Sequence, residues 1–412
     1  MLKLLKLAWR DIWRNRRRSL ITMAAIVFSL FLITGFHSLQ NGTYDAMEEV
    51  AVRIFTGDVQ IHREGYYDER TFSYAMEGDE YDWDSLADEY EEIEFAARRI
   101  TGFGLLSSDS SSVGGIIVGI DPAREYGIST FASAPVEGER LQPGDDHEVM
   151  LGRTLANNLA LGVGDTVVVL TQGFRNAMGA DLYVIKGLLR SGNPEVDRSM
   201  MIMTVEDADF LFSMEGRFTE LVIKTADFRD SDRLARQLED RFDSDRFEVM
   251  GWKSLLPELQ QARAMDDIGN YVFYAFLLIM VGFEIFNTTM MSVMERVREF
   301  GVIMSIGMKP WQITLLIAME LILKTLLSVA VGFGIAFIVV SYMHANPIPL
   351  PEDWSAMYED FGFSVPAISF SARPHIFYEP LMWIGVIAVI ALIYPILRMR
   401  RFSPVEALRT MK

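Results

Sequence analysis

Four stretches of this chain, residues 19–39, 270–293, 311–343 and 376–397, are almost wholly apolar. A helix rising 1.5 Å per residue needs about 20 such residues to cross a hydrocarbon layer of about 30 Å, so each run predicts a membrane-spanning helix. A basic stretch precedes the first run, as in a secretory signal, but that run exceeds the usual ~7–15 apolar residues and no small-residue cleavage pattern follows it. An uncleaved helix is therefore expected. Before it, Leu2, Leu5, Ala8 or Trp9, Ile12 and Trp13 recur at helical spacing, with Lys3, Lys6, Arg10 and Arg14 on the other side. Residues 1–18 thus predict a basic amphipathic helix lying in the membrane interface, where it meets anionic lipid headgroups; the same charges also serve to set topology.

Between the first and second runs the period changes. Strand-like segments at residues 57–62, 116–120, 166–170, 182–188 and 221–224 alternate with helical patterns at 205–214 and 231–242, the second with Leu234 and Leu238 four apart. Residues 40–268 therefore predict an α+β domain. Within it, 148–166 reads as a strand ending at Gly152, a helix turning Leu155, Ala156 and Leu159 inward, and a turn over Gly162–Asp165 that feeds a new strand. The fold class expected is an α-helical membrane protein with four transmembrane helices, one plus three, and a large α+β extracytoplasmic domain between helices 1 and 2.

Charge sorts by these segments. The 412 residues carry 38 basic and 56 acidic side chains. Residues 1–39 have seven Lys or Arg against Asp11 alone, residues 269–412 have ten of each sign, and residues 40–268 hold the remaining 21 basic and 45 acidic groups. Basic flanks stay cytoplasmic, and this orients both termini inward and the acidic domain outward. The order is then a cytoplasmic tail at each end (1–18 and 398–412), an inside loop at 294–310 and an outside loop at 344–375. That outside loop is itself acidic, with Glu352, Asp353, Glu359 and Asp360 against Arg373. Inside the spans the polar residues are few. Glu320 and Lys324 stand four apart on one face and can pair; the pair reads either as a helix-end couple reaching the interface or as part of a transport path. Ser328, Gly332 and Ala336 form a small-residue stripe for close helix packing, against the chain's own spans or a second membrane chain. Phe28, Phe31, Phe36, Met280, Phe283, Phe286 and Met290 are available to lipid or to a substrate's acyl chains.

The chemistry is negative. There is no phosphate-binding G-x-x-x-x-G-K-[ST] loop, no H-E-x-x-H and no G-x-S-x-G, so no catalytic residue is assigned and the chain is not expected to hydrolyse ATP unaided. Cysteine is absent, and His37, His62, His147, His344 and His375 are scattered, which predicts structural or surface roles and no metal site. Acidic residues crowd 77–94 without the spaced ligands and glycine of a calcium loop, which predicts a solvated helix or loop. Nucleic acid is excluded as a partner, since the basic run abuts a membrane span and the rest is acidic.

The loop after the second span reads Glu295-Arg296-Val-Arg298-Glu299-Phe300-Gly301 and continues to Ser305 and Gly307. This resembles the E-R-x-x-E-[IF]-G-x-x-x-[AS]-x-G segment of the FtsX-like permeases, the membrane subunits of MacB-type and Lol-type ABC transporters. The 148–166 stretch resembles that family's outside-domain segment, in which G-x-x-[LA]-A is followed by L-x-x-G-D, and Pro404–Arg409 its closing P-x-x-A-L-R. The resemblance implies that Glu295, Arg296, Arg298, Glu299, Gly301, Ser305 and Gly307 couple the chain to a separate ATP-binding subunit, which holds the ATP and Mg, and that a second permease completes a homo- or heterodimer. It implies a bacterial inner-membrane location. With no fused ATPase, the Lol-type organisation is expected, in which lipoproteins are released from the membrane to a periplasmic carrier. The alternatives are a MacB-like exporter of peptides, drugs or lipids and an FtsX-like scaffold that regulates a cell-wall hydrolase.

Overall fold

A computed structural model of the chain describes residues 2–14, 16–83, 85–130, 132, 135–351, 354 and 367–400. Glu352, Asp353, Glu359 and Asp360 of the outside loop and the 404–409 closing segment lie outside the described residues. In chain order the main helices are α1 (Leu2–Arg14), α2 (Arg16–Ala51), α3 (Pro122–Ile128), α4 (Arg153–Leu159), α5 (Val205–Phe212), α6 (Ser231–Arg241), α7 (Pro257–Glu295), α8 (Val297–Ser305), α9 (Pro310–Ala345) and α10 (Pro374–Arg400). The strands of the main sheet are β1 (Val59–Arg63), β2 (Ile93–Ser107), β3 (Ser112–Ile120), β4 (Glu137–Gly138), β5 (Glu148–Gly152), β6 (Thr166–Gln172), β7 (Met178–Leu189), β8 (Met200–Thr204), β9 (Glu220–Thr225) and β10 (Phe247–Gly251).

Residues 1–45, 262–349 and 367–412 form one compact unit. Its helices α2, α7, α9 and α10 are long and apolar enough to cross a membrane. Ile26, Leu30 and Ile33 of α2 meet Leu278, Val281 and Ile285 of α7, Leu321 of α9 and Ile384 of α10 in a shared core. The helices outrun the apolar stretches: α2 continues to Ala51 and α7 begins at Pro257. Hydropathy marks only the hydrocarbon-length part, whereas the backbone ladder propagates through the polar turns beyond it, where Asn41 Nδ2 also donates to His37 O at 2.9 Å. The small-residue stripe of α9 is buried, and a Cβ on Gly332 would lie 3.1 Å from Leu30 Cδ2 and 3.3 Å from Val27 Cα. The stripe is therefore occupied by the chain's own first span. Of the residues offered to lipid, Phe28, Phe36, Met280 and Phe283 are exposed, but Phe31, Phe286 and Met290 are half-buried among neighbouring side chains.

The second unit comprises residues 46–261 and 350–366. Its strands run in the order β10-β1-β9-β2-β3-β8-β5-β7-β4, and β6 joins β2 to β7. Strands β2, β3, β8, β5, β7 and β6 thereby close a ring, with β3–β8 and β5–β7 parallel and the other ring pairs antiparallel. The fifteen-residue β2 serves both halves of the sheet. Its start pairs with β9, placing Arg99 opposite Glu220, and its end pairs with β3 and β6. The 148–166 reading holds in detail: Leu155, Ala156 and Leu159 are buried, and Gly162 N donates to Asp165 Oδ2 at 2.8 Å.

The acidic 77–94 stretch departs from the solvated helix or loop expected of it. Trp83 and Leu86 are fully buried, with Trp83 between Phe218, Phe242 and Phe247 at centroid distances of 5.5 to 5.6 Å. Its acids are strapped to arginines. Glu80 binds Arg63 at 3.0 Å and also Arg246, Glu77 binds Arg217 at 3.4 Å, and Glu92 binds Arg233 at 3.5 Å. Ring burial anchors the segment, while exposed pairs such as Glu92–Arg233 add little each, about 0–1 kcal/mol.

Candidate functional site

The loop between the second and third spans is built as a rigid corner. Helix α7 ends at Glu295, Arg296 breaks the helical path, and α8 runs from Val297 to Ser305. Phe300, Gly301 and Met304 form its buried side, packing with Val293 below and Ile313 and Ile317 of α9. Gly307 then turns with φ +111°, a conformation that a Cβ would strain, and Pro310 starts α9.

Arg296 points inward. It is 7% exposed, its Nη2 donates to Asp11 Oδ2 at 2.6 Å, its Nη1 to Glu320 Oε2 at 3.3 Å and its Nε to Glu299 Oε2 at 3.0 Å. Lys324 Nζ holds the other oxygen of Glu320 at 2.7 Å, so the pair read from the sequence exists, but as one arm of a larger hub. The fork of a guanidinium suits three carboxylates at fixed angles, which an ammonium cannot match. The hub joins α1, the 294–310 corner and α9 through Arg296.

Around it lie two surface pairs. Arg14 Nη2 donates to Glu299 Oε1 and Oε2 at 2.9 and 2.7 Å, and Arg18 donates to Glu295 through Nη1 and Nη2 at 2.6 and 2.8 Å. The hydrogen bond from Arg14 holds the Glu299 carboxyl below the usual glutamate range. These pairs stand in water, so each contributes little. Burial of Ala8 and Ile12 and the Arg296 hub are what fix α1 here; Leu5, Trp9 and Trp13 remain exposed on it.

Of the residues assigned to coupling, Glu295, Arg296 and Glu299 thus face partners within the chain, and Gly301 packs in the corner's core. Arg298, Ser305 and Gly307 are exposed, and sequence reasoning missed their apolar neighbours Val302 and Ile306, the latter 81% exposed. It also missed Asp11, Arg14 and Arg18 as partners of this loop. The signal for Asp11 was present: it is the lone acid in a run of seven bases.

The histidines are structural or near the surface, with one cluster of note. Among the described residues Asp146, His147 and Asp207 stand close enough to share a cation. Both ring nitrogens of His147 have partners in the chain, Nδ1 with Asp146 at 2.7 Å and Nε2 with Asp181 at 3.1 Å. The hydrogen bond with Asp146 chiefly, against desolvation, raises the His147 pKa above 6.5. A raised folded value means this pair stabilises the fold below the ordinary histidine range and loses that contribution as pH rises through the folded value. In an NMR titration, His147 is expected to titrate above 6.5 and to fall toward it in Asp146→Asn; an unchanged midpoint in that variant would refute the assignment.

A family model described as FtsX-like permease C-terminal matches residues 271–404, and one described as MacB-like periplasmic core domain matches residues 19–241. The lipoprotein-releasing system transmembrane protein LolC of Xylella fastidiosa is 24% identical over 301 residues, covering 71% of this chain and 72% of that protein. LolC of Neisseria meningitidis serogroup B is 23% identical over 307 residues, covering 72% and 71%. Among solved structures, the periplasmic region of MacB from Actinobacillus actinomycetemcomitans aligns with 51% of this chain and 95% of its own, at 14% identity and a TM-score of 0.36.

Proposed function

The chain belongs to the FtsX-like permeases of ABC transporters that carry a MacB-like periplasmic core domain, and from that premise we propose that it releases lipoproteins from the inner membrane, driven by a separate ATP-binding subunit that docks on α8. The family implies an ATP-binding partner and a paired arrangement of permeases. ATP and Mg reside in that partner. The similarity to LolC, described as a transmembrane protein of a lipoprotein-releasing system, supports lipoprotein release. On this reading both termini and the 294–310 corner are cytoplasmic and residues 46–261 are periplasmic.

The observation that carries the docking reading is the outer face of α8. Val302 and Ile306 project exposed beside Arg298 and Ser305, while the opposite face is locked into the corner by Phe300 and Met304. An apolar knob ringed by polar groups on a rigid support suits insertion into a groove of a partner. A push delivered there passes into α7 and α9 without being absorbed by a flexible loop.

The full chain is to be co-expressed with the ATP-binding protein encoded beside it. Ile306→Asp is expected to abolish co-purification while leaving the thermal unfolding of the permease unchanged, because the side chain is largely exposed. Retention of the ATPase at wild-type yield by this variant would refute docking on α8. Release of a labelled lipoprotein from vesicles by the intact pair tests the substrate; ATPase binding without release would point to export of another molecule.

A further inference from the structure

A cavity of about 610 Å³ lies within residues 46–261, inside the range of about 300–1,000 Å³ that holds small-molecule ligands. One wall is apolar: Val50, Ile54, Phe55, Leu255, Leu256 and Leu259. The opposite wall carries Gln60, His62, Thr101 and Glu220, which are strand residues or neighbours of strands β1, β2 and β9.

The polar groups of that second wall are matched, with one exception. Thr101 Oγ1 donates to Glu220 Oε1 at 2.6 Å. Glu220 is deeply buried, which works against its charge, yet His62, Arg99 and Thr101 together hold its carboxyl below the usual glutamate range. Gln60 Nε2 donates to Thr56 O at 2.6 Å, so Gln60 Oε1 is an acceptor, and it faces His62 Nε2 at 2.9 Å. His62 must then donate from Nε2, which leaves the lone pair of a neutral ring on Nδ1. Of the buried side-chain atoms without a partner among the described residues, His62 Nδ1 is the one that belongs to a residue of this cavity. His62 is 1% exposed, and a buried acceptor without a donor is costly to keep.

We propose that this cavity binds an uncharged amphiphile, with its apolar body along Val50, Ile54, Leu256 and Leu259 and its head donating a hydrogen bond to His62 Nδ1. A carboxylate head has no proton to donate to this acceptor, and a cationic head meets Arg70 and Arg198, which also line the cavity with Glu195. The residues involved lie outside the docking corner, so the inference is independent of how the ATPase binds.

The test uses the full chain in phosphatidylcholine nanodiscs with a diazirine-bearing hexadecanol and, in parallel, its methyl ether, which lacks the donor. After irradiation, labelled peptides are located by mass spectrometry, and labelling of the membrane helices serves as the internal reference. The alcohol is expected to label peptides containing residues 50–56 and 255–259. Loss of one hydrogen bond in His62→Phe should reduce that labelling about fivefold. The ether should label wild type only at the level of the alcohol on His62→Phe, and Leu256→Trp, which narrows the cavity along its apolar lining, should reduce labelling there. Equal labelling of the cavity by alcohol and ether, or no labelling above the Leu256→Trp protein, overturns the proposal. If Leu256→Trp does not fold, the cysteine-free chain supplies a second measurement. Hexadecanol should protect Val50→Cys from maleimide, and failure to protect it likewise overturns the proposal. Ile306→Asp should leave all of this labelling unchanged, which separates failure here from failure of the docking reading.

Discussion

Replacing Arg296 with methionine is expected to destabilise the membrane unit by about 3 kcal/mol, the lower end of the cost of breaking a buried ion pair by removing one partner. The lower end applies because Glu320 keeps Lys324 at 2.7 Å. Asp11 fares worse: among the described residues its remaining ion pair is with Arg14 at 3.9 Å, on an exposed side chain. Denaturant midpoints of the full chain in detergent would read the loss. Adding Asp11→Asn to Arg296→Met should recover part of it, since the stranded charge is then gone, whereas Arg14→Ala alone should shift stability by less than about 1 kcal/mol. A wild-type midpoint for Arg296→Met would mean that the hub does not hold α1 to the corner. Because the same hub sets the seating of α8, the variant is also expected to lose ATPase stimulation even where the ATPase still binds.

The second large effect belongs to the outside domain. Arg99 and Glu125 are both fully buried, paired through Nε–Oε2 at 3.0 Å and Nη2–Oε1 at 2.5 Å. Arg99 Nη1 also donates to Phe55 O at 2.6 Å, with its guanidinium 4.6 Å from the Phe55 ring centre, and Ser129 Oγ donates to Glu125 at 2.6 Å. Arg99→Met strands Glu125 in the interior and removes the cation nearest Glu220, so a loss of about 3–5 kcal/mol is expected, measured by the unfolding of this domain. The paired change Arg99→Met with Glu125→Met should be much milder than Arg99→Met alone, because no uncompensated charge remains. Equal costs for the single and paired changes would show that packing of the arginine stem, and not its charge, is what matters.

The parts legible in the sequence are those fixed by a one-dimensional requirement. A hydrocarbon layer imposes a length on each apolar run, and a strand or a helix imposes a period, so the four spans and most strands of the domain could be read directly. The Leu155, Ala156 and Leu159 face followed from spacing alone. What could not be read rests on encounters between distant positions. Asp11 and Arg296 are separated by 285 residues, and nothing local distinguishes an acid that only tempers a basic run from one that seats a guanidinium. The 295–307 pattern could be read from the sequence, but that Glu295, Arg296 and Glu299 meet Arg18, Asp11 and Arg14 of the same chain could not. The 77–94 stretch misled through composition: its acids suggested solvation, while Trp83 and Leu86, three apart, carried the information about burial.

Strand β2 has one further consequence. Its first residues are bonded to β9 and its last to β3 and β6, so a single covalent rod runs through both halves of the domain sheet. Neither half can peel away without tearing hydrogen bonds from the same backbone that organises the other. The domain should therefore open as one cooperative block, with no partly melted form that would expose its apolar interior outside the cell membrane, and the absence of disulfides becomes tolerable for that reason.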